Sequence, residues 1–395
     1  MFIFEILIYV FFAYVMCGYA EKSYAYSQRT GVVDIPDHNL WKFWLFFALI
    51  CGIRWNVGDD SVGYMIDFDK GRIRENSVEH LWDLLVLSVH GLHLHYTIGM
   101  AITGFVQIYF VTKLTSKYRY ILLFLPIVLF GASHFLDWCN AVRQMMAASI
   151  FVYSIQFILN KKLIPYILCI FAASQIHHSA QMMYVMYVFA YIRPDKISIS
   201  DKKILTTSIF IVCFVLGITP QFQNILGLFS FLVENLGTYD YVGNVIQQTI
   251  VEGEMSERSF GPMQLSYFLI AMASIWFGPE LKREYKDKVP YFDLWWFFSY
   301  IYSCGYFLVC NVQFMFIRPF LYFQPFQLII SSLLLYYFYC NKLRTKFWGY
   351  VGVIWLSTAW NIMKNMDNPI ESVTYKLFLF HNLDNWGKLF QQAIQ

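Results

Sequence analysis

Charge is scarce in this sequence of 395 residues: only 14% are Asp, Glu, Lys or Arg, against roughly 25% in soluble domains. So few charges cannot solvate a water-exposed surface of this size. There is no C-x-x-C pair and no paired spacing among the eight cysteines, which lie inside or at the ends of apolar segments. Neither a disulfide framework nor a zinc knuckle is therefore expected. A basic surface is missing as well. Net charge is only +3, and Lys and Arg fall in short clusters between apolar runs, which excludes a nucleic-acid partner. The opening MFIFEILIYVFFAYVMCGYA lacks the basic n-region of a signal peptide and carries Glu5, so it reads as a first span. Internal repeats, low-complexity tracts and a soluble domain are absent too. Missing inverted repeats weigh against a secondary transporter.

Apolar residues are what the chain has: 58% of it, with a mean hydropathy of +0.47. Its 39 Phe, 29 Tyr and 12 Trp are the ring types that collect at membrane interfaces. A spanning helix needs roughly 20 apolar residues. Segments of about that kind fall near 3–20, 39–55, 94–112, 118–136, 140–159, 163–177, 179–193, 203–219, 262–279, 292–310, 319–340 and 346–362. The two flanking residue 178 are short, and Val78 to Leu92 is too short to cross and is expected to lie in the interface. The expectation is an all-α polytopic membrane protein, one transmembrane domain over 1–395 with about twelve helices.

Twelve spans put both termini on one side. Nineteen of the 29 Lys and Arg residues fall on one set of loops, mostly tight ones. Short basic loops stay cytoplasmic, so both termini are expected on the outer face. That face then owns a loop from residue 54 to 93, a second from 220 to 262, and the tail 363–395.

On this topology four polar sites share one depth, near the outer interface: Arg54, Arg143, Arg318 and the pair His177–His178. Arginine beside a span is costly and usually faces protein or a wet cavity. For any single arginine, snorkelling to headgroups explains the placement equally well. Three at one level favour a shared cavity, and a guanidinium fork suits phosphate oxygens. Asp59 and Asp60 follow Gly58 and precede Tyr64. They either solvate a loop or point back toward the cavity, where a carboxylate or a histidine could take a proton from a hydroxyl. In HGLHLH, His90, His93 and His95 have no carboxylate or cysteine spaced as a ligand set, and i, i+3, i+5 does not share one helical face. They read as interfacial histidines, and no metal is expected.

These strings resemble the Wzy/EpsG family of polysaccharide polymerases. The family's Arg and G-x-D-x-x-x-Y string is matched by Arg54 and Gly58-Asp59-Asp60-Ser61-Val62-Gly63-Tyr64. Its Arg-Gln opening a middle span is matched by Arg143-Gln144, with Ala147 following. His177-His178-Ser179-Ala180 stands for its His-x-Ser-Ala string, and Arg318 with Tyr322 for its late Arg and Tyr. The likeness covers about residues 40–325. Ser61 replaces a frequent aromatic, and the C-terminal motif has no counterpart around Tyr375.

The resemblance implies a GT-C-like glycosyltransferase of the bacterial inner membrane. It would move a growing glycan from undecaprenyl pyrophosphate onto the terminal sugar of a lipid-linked repeat unit, on the periplasmic side and without a cofactor. Arg143 and Arg318 would hold the pyrophosphates, and Arg54 would join them or fix the Asp60 loop. Asp60 or His177 would be the base, with Asp59, Tyr64, Gln144, His178 and Tyr322 positioning sugars. Membrane lipid, a chain-length regulator and a flippase are the partners such an enzyme would meet.

Three rivals belong to other classes. A lipid-linked oligosaccharide flippase wants its polar residues near the midplane. A membrane O-acyltransferase takes its donor from the cytoplasmic side, where the loops are short. An O-antigen ligase shares the donor chemistry, and only the string from Arg54 to Tyr64 speaks for the polymerase.

Overall fold

A computed structural model describes residues 2–58, 60–75, 77–192, 199–219, 260–309, 314–366 and 373–381. The first helices are α1 (Phe2–Thr30) and α2 (His38–Ile53), then, after a two-residue strand β1 (Arg54–Trp55), α3 (Ser61–Lys70) and α4 (His80–Gly91). Next come α5 (Tyr96–Thr115), a 3-10 turn (Ser116–Ile121), the short α6 (Leu125–Gly131) and α7 (His134–Asn140), then α8 (Val142–Leu159) and α9 (Leu163–Ser174). A 3-10 helix covers His178–Tyr191. It is followed by α10 (Lys203–Gly217), α11 (Pro262–Trp276), α12 (Gly278–Tyr285), α13 (Phe292–Val309), α14 (Phe314–Leu321), α15 (Gln324–Cys340) and α16 (Arg344–Asn365). The last strand, β2 (Lys376–Leu377), pairs antiparallel with β1.

Each apolar segment of the sequence contains helix, and the stretch from Val78 to Leu92 forms α4. Two segments depart from α geometry. The one at 118–136 is broken between a 3-10 turn and α6, where Pro126 sits in the first turn and has no N–H for a continuous helix. The one after residue 178 is a 3-10 helix of 14 residues. At roughly 2 Å rise per residue this gives about 28 Å, so the short segment reaches further than an α-helix would. By length and composition α1, α5 with its 3-10 extension, and α8 can each cross a bilayer, and α2, α9 and α10 are shorter apolar helices.

Exposed side chains identify the solvent. Ile3, Phe4, Leu7 and Phe11 on α1, Leu45 and Leu49 on α2, Ile164 and Leu168 on α9, and Ile204 and Val212 on α10 all stand outward. A belt of large apolar groups on successive helices is a lipid-facing surface. The chain is an all-α membrane protein.

Inside the belt, α2 packs on α5, α5 on α8 and α8 on α9, while α1 leans on α6 and α11 on α16. Small residues set the closeness of α2 and α5: a Cβ added to Gly104 would collide with the Cys51 side chain, as small-residue helix contacts in lipid imply. Trp44 Nε1 donates to Thr112 Oγ1 across the same pair at 2.7 Å.

The two ends of the bundle are pinned differently. At the end rich in lysine, Arg119 joins the Asp37 carboxylate, and its other nitrogen donates to the Ile35 carbonyl at 2.8 Å. Asp37 also caps α2. At the opposite end the C-terminal segment closes back on the start of the chain. Tyr9 donates to the Val373 carbonyl at 2.7 Å, the Tyr375 N–H to Glu5 at 3.1 Å, and the Tyr375 hydroxyl to the Ile50 carbonyl at 2.6 Å. Tyr375→Phe should therefore leave a buried carbonyl at the end of α2 with one bond fewer, costing about 1–2 kcal/mol. A lowered unfolding temperature in detergent with retained activity is the expected outcome, and an unchanged temperature would show that the hydroxyl holds nothing.

Of the outer pieces read from the sequence, the loop at 220–259 and the tail residues 367–372 and 382–395 lie outside the described residues.

Candidate active site

The end of α2, the start of α8, the end of α9 and the first residues of the long 3-10 helix come together at the end of the bundle away from Arg119. Arg143 stands in the first turn of α8, where the helix dipole already presents positive partial charge. A cation there needs an anion, and Glu79, just ahead of α4, supplies it: its carboxylate pairs with the guanidinium. The guanidinium also lies 5.9 Å from the ring centre of Tyr64 and 5.7 Å from that of Trp82, within cation–π range.

Glu79 is the hub of this cluster. Its second oxygen accepts the His178 N–H at 3.0 Å and lies 3.3 Å from Nδ1 of His177. Burial would raise this carboxyl, but the bond from His177, the charge of Arg143 and the His178 N–H outweigh it and hold the group at about 2. It is depressed below the ordinary carboxyl value. The stability it contributes is thus present above about pH 4.5 and lost only as pH falls toward 2. His177 sits in the turn after α9 ends at Ser174. Burial lowers its imidazole, Glu79 opposes this, and Arg143 and Arg318 add to the lowering. The ring is neutral at pH 7, so the charge balancing Glu79 is that of Arg143.

The remaining sequence candidates are distributed around this hub. Arg318, on α14, is near enough to His177 and Tyr64 for its charge to act on both. Gln144, buried beside Arg143, donates to the Arg318 carbonyl and ties α8 to α14. Tyr322 is fully buried and shares a 2.9 Å hydrogen bond with Ser179, bracing the wall behind His178, whose ring reaches Gln181 at 3.4 Å. Asp60 is exposed at the start of α3, its N–H donating to Asn140 Oδ1 at 3.0 Å. Asp59 lies outside the described residues.

Arg54 stands apart from the cluster. It is 1% exposed, and its guanidinium donates to the carbonyls of Cys51 (3.4 Å) and Cys139 (3.3 Å). It fastens the end of α2 to the end of α7 beneath the loop that leads into α3, the helix that carries Tyr64. Gly58 in that loop has φ +91°, and a Cβ there would meet the Asn140 backbone nitrogen at 2.8 Å. Gly58→Ala therefore combines a left-handed strain with a backbone clash, at a cost of about 1–3 kcal/mol for the overpacking alone. The expected result is poor accumulation of folded protein in the membrane, read by size-exclusion of a fluorescent fusion. A monodisperse peak at wild-type yield would show that the loop yields freely.

Glu79, Trp82 and Asn140 are site residues that the sequence did not mark. Glu79 opens the apolar stretch read as interfacial, and a single carboxylate bordering such a stretch was the available signal. The histidines of HGLHLH are elsewhere: His90 Nδ1 is 2.9 Å from the Asp69 carbonyl, and His95 caps α5.

No curated protein and no solved structure matches the chain. A family model does, over residues 42–377. It takes in the Arg54–Tyr64 string, Glu79, Arg143, His177, Arg318 and Tyr375, and so runs beyond the likeness seen over about 40–325. With most of its length matched, the chain belongs to the EpsG family, and thereby to membrane proteins of polysaccharide-polymerase type.

Proposed function

We propose that this protein is a polysaccharide polymerase that transfers a growing glycan from a polyprenyl pyrophosphate to the terminal sugar of a lipid-linked repeat unit. The observation that carries this reading is Arg143. It joins a helix N-terminus and an aromatic floor around one place for an anion, and in this structure the anion is the Glu79 carboxylate, while the charge of Arg318 reaches His177 and Tyr64 nearby. Phosphate oxygens bind such a place through the same fork and the same helix end.

In the reaction an acceptor hydroxyl attacks C1 of the donor sugar as the bond from C1 to pyrophosphate breaks. Charge gathers on the leaving pyrophosphate, and fixed guanidinium groups placed there lower the barrier. Arg143 and Arg318 have that role. His177 takes the acceptor proton: its Nδ1 faces Glu79, which leaves Nε2 for the hydroxyl, and it is neutral at pH 7, as a base must be. Glu79 is the positioning residue for both His177 and Arg143. Asp60, exposed and bound through its own N–H, is the second candidate for the base. Tyr64, buried with Arg143 over its ring, is assigned to positioning a sugar, while Arg54, Gln144 and Tyr322 act through the elements they hold, and His178 through its N–H.

The proposal extends to topology: about twelve spans on a GT-C-like plan in the bacterial inner membrane, with both termini and the site on the periplasmic side. The donor would be undecaprenyl pyrophosphate, and a flippase and a chain-length regulator would be its partners. The test is a glycan gel of a deletion strain complemented with wild type and with Arg143→Lys, which keeps the charge facing Glu79. The expected outcome is loss of the ladder to a single repeat unit, repaired by the wild type only. Loss of all glycan with lipid-linked units retained inside the cell would mean a flippase, and accumulation of long lipid-linked polymer would mean a ligase.

A further inference from the structure

A cavity of about 190 Å³ opens beside Arg143, walled by Asp67 of α3, by residues 72–74 and Ser77 beyond it, and by the first turn of α4. Its lining includes Asp67, Arg72, Arg74, Trp82, Asp83 and Arg143. The charges nearly cancel: Arg72 pairs with Asp67 at 2.7 Å and Arg143 with Glu79, while Arg74 and Asp83 stand on the same wall. Two carboxylates in the lining repel a bare phosphate, so the cavity is a poor anion site despite its arginines. What it offers is donors and acceptors side by side. Carboxylates accept from hydroxyls and guanidinium groups donate to them, while Trp82, 4% exposed with Arg143 over its ring, adds a small apolar patch.

We propose that this cavity is a monosaccharide subsite, holding an uncharged sugar ring of the repeat unit through its hydroxyls immediately next to Arg143. The inference deepens the polymerase reading, because the site's reacting groups border the cavity through Arg143. It assigns to Asp83, Asp67 and Arg74 a sugar-recognition role, separate from the pyrophosphate contacts.

The experiment uses the full-length protein in nanodiscs and, as probe, the lipid-free repeat-unit oligosaccharide released from the organism's own polymer by partial hydrolysis. Saturation-transfer NMR should detect binding to the wild type. Asp83→Asn and Arg74→Gln, both on partly or fully exposed side chains, should each weaken it at least tenfold without changing the unfolding temperature. Excess inorganic pyrophosphate should leave the signal in place. Displacement by pyrophosphate would make the cavity an anion site, and wild-type binding in both variants, or no binding to the wild type, would remove the subsite. A deletion strain that still makes full-length polymer would instead overturn the polymerase reading while leaving oligosaccharide binding intact, so the two failures are distinguishable.

Discussion

Arg143→Lys is expected to abolish the polymer ladder while the protein still accumulates in the membrane. The choice of lysine follows from what Arg143 does without substrate. Glu79 is only 8% exposed and carries its charge at neutral pH. Removing the partner cation with alanine would leave an uncompensated buried charge, a loss of about 3–5 kcal/mol, and a dead variant would then say little about catalysis. Lysine keeps the charge and most of the aliphatic stem, so the Glu79 pair and the fold survive. What is lost is the planar fork, which can hold Glu79 with one nitrogen and a phosphate oxygen with another. Losing one fixed donor to developing charge costs about a hundredfold to a thousandfold in rate, enough to reduce a ladder to its first rung. The measurement is a glycan gel beside a membrane immunoblot. A normal ladder from Arg143→Lys would take Arg143 out of the reaction and leave it as a structural partner of Glu79.

Much of this site could be read from the sequence because topology alone sorts span ends. Alternating helices send the start of α8 and the end of α9 to one side, so Arg143 and His177 had to share a depth once the spans were counted. Topology does not say where a side chain turns at that depth. Arg54 has the same level as Arg143, yet its guanidinium is spent on the Cys51 and Cys139 carbonyls, a choice made by the packing of α7 on α2. Glu79 was invisible for a related reason. It precedes a helix of its own, carries no motif, and acquires its meaning only when α8 and α9 bring three partners to it. Tyr375 is the third case. A strand of two residues has no periodicity to detect, and its register with Arg54 and Trp55 is set by contacts with α1 and α2.

Glu79→Gln should lower the polymerisation rate by about a hundredfold to ten-thousandfold, the range in which a positioned base contributes, while KM for the lipid-linked substrate stays level or falls. The amide side chain fills the same volume as the carboxylate and can still accept the His178 N–H. It no longer carries the charge that opposes the lowering of His177 and competes with phosphate for Arg143. The second consequence fixes the direction of KM: with its intramolecular anion gone, Arg143 meets the pyrophosphate without a rival. The first consequence fixes the pH profile. Glu79 raises the His177 imidazole against the effects of burial and of Arg143 and Arg318, so neutralising Glu79 lets that group fall further. The active form of the base is the neutral ring, so the acid limb of the rate profile should move to lower pH even as the plateau drops. Glu79→Asp keeps the charge, and with it the wild-type limb, at a reduced plateau set by the shorter reach. A purely structural glutamate would lower the plateau in both variants and move the limb in neither. That result, from initial rates of the purified enzyme across the pH range, would separate His177 from Glu79 and return the base to Asp60.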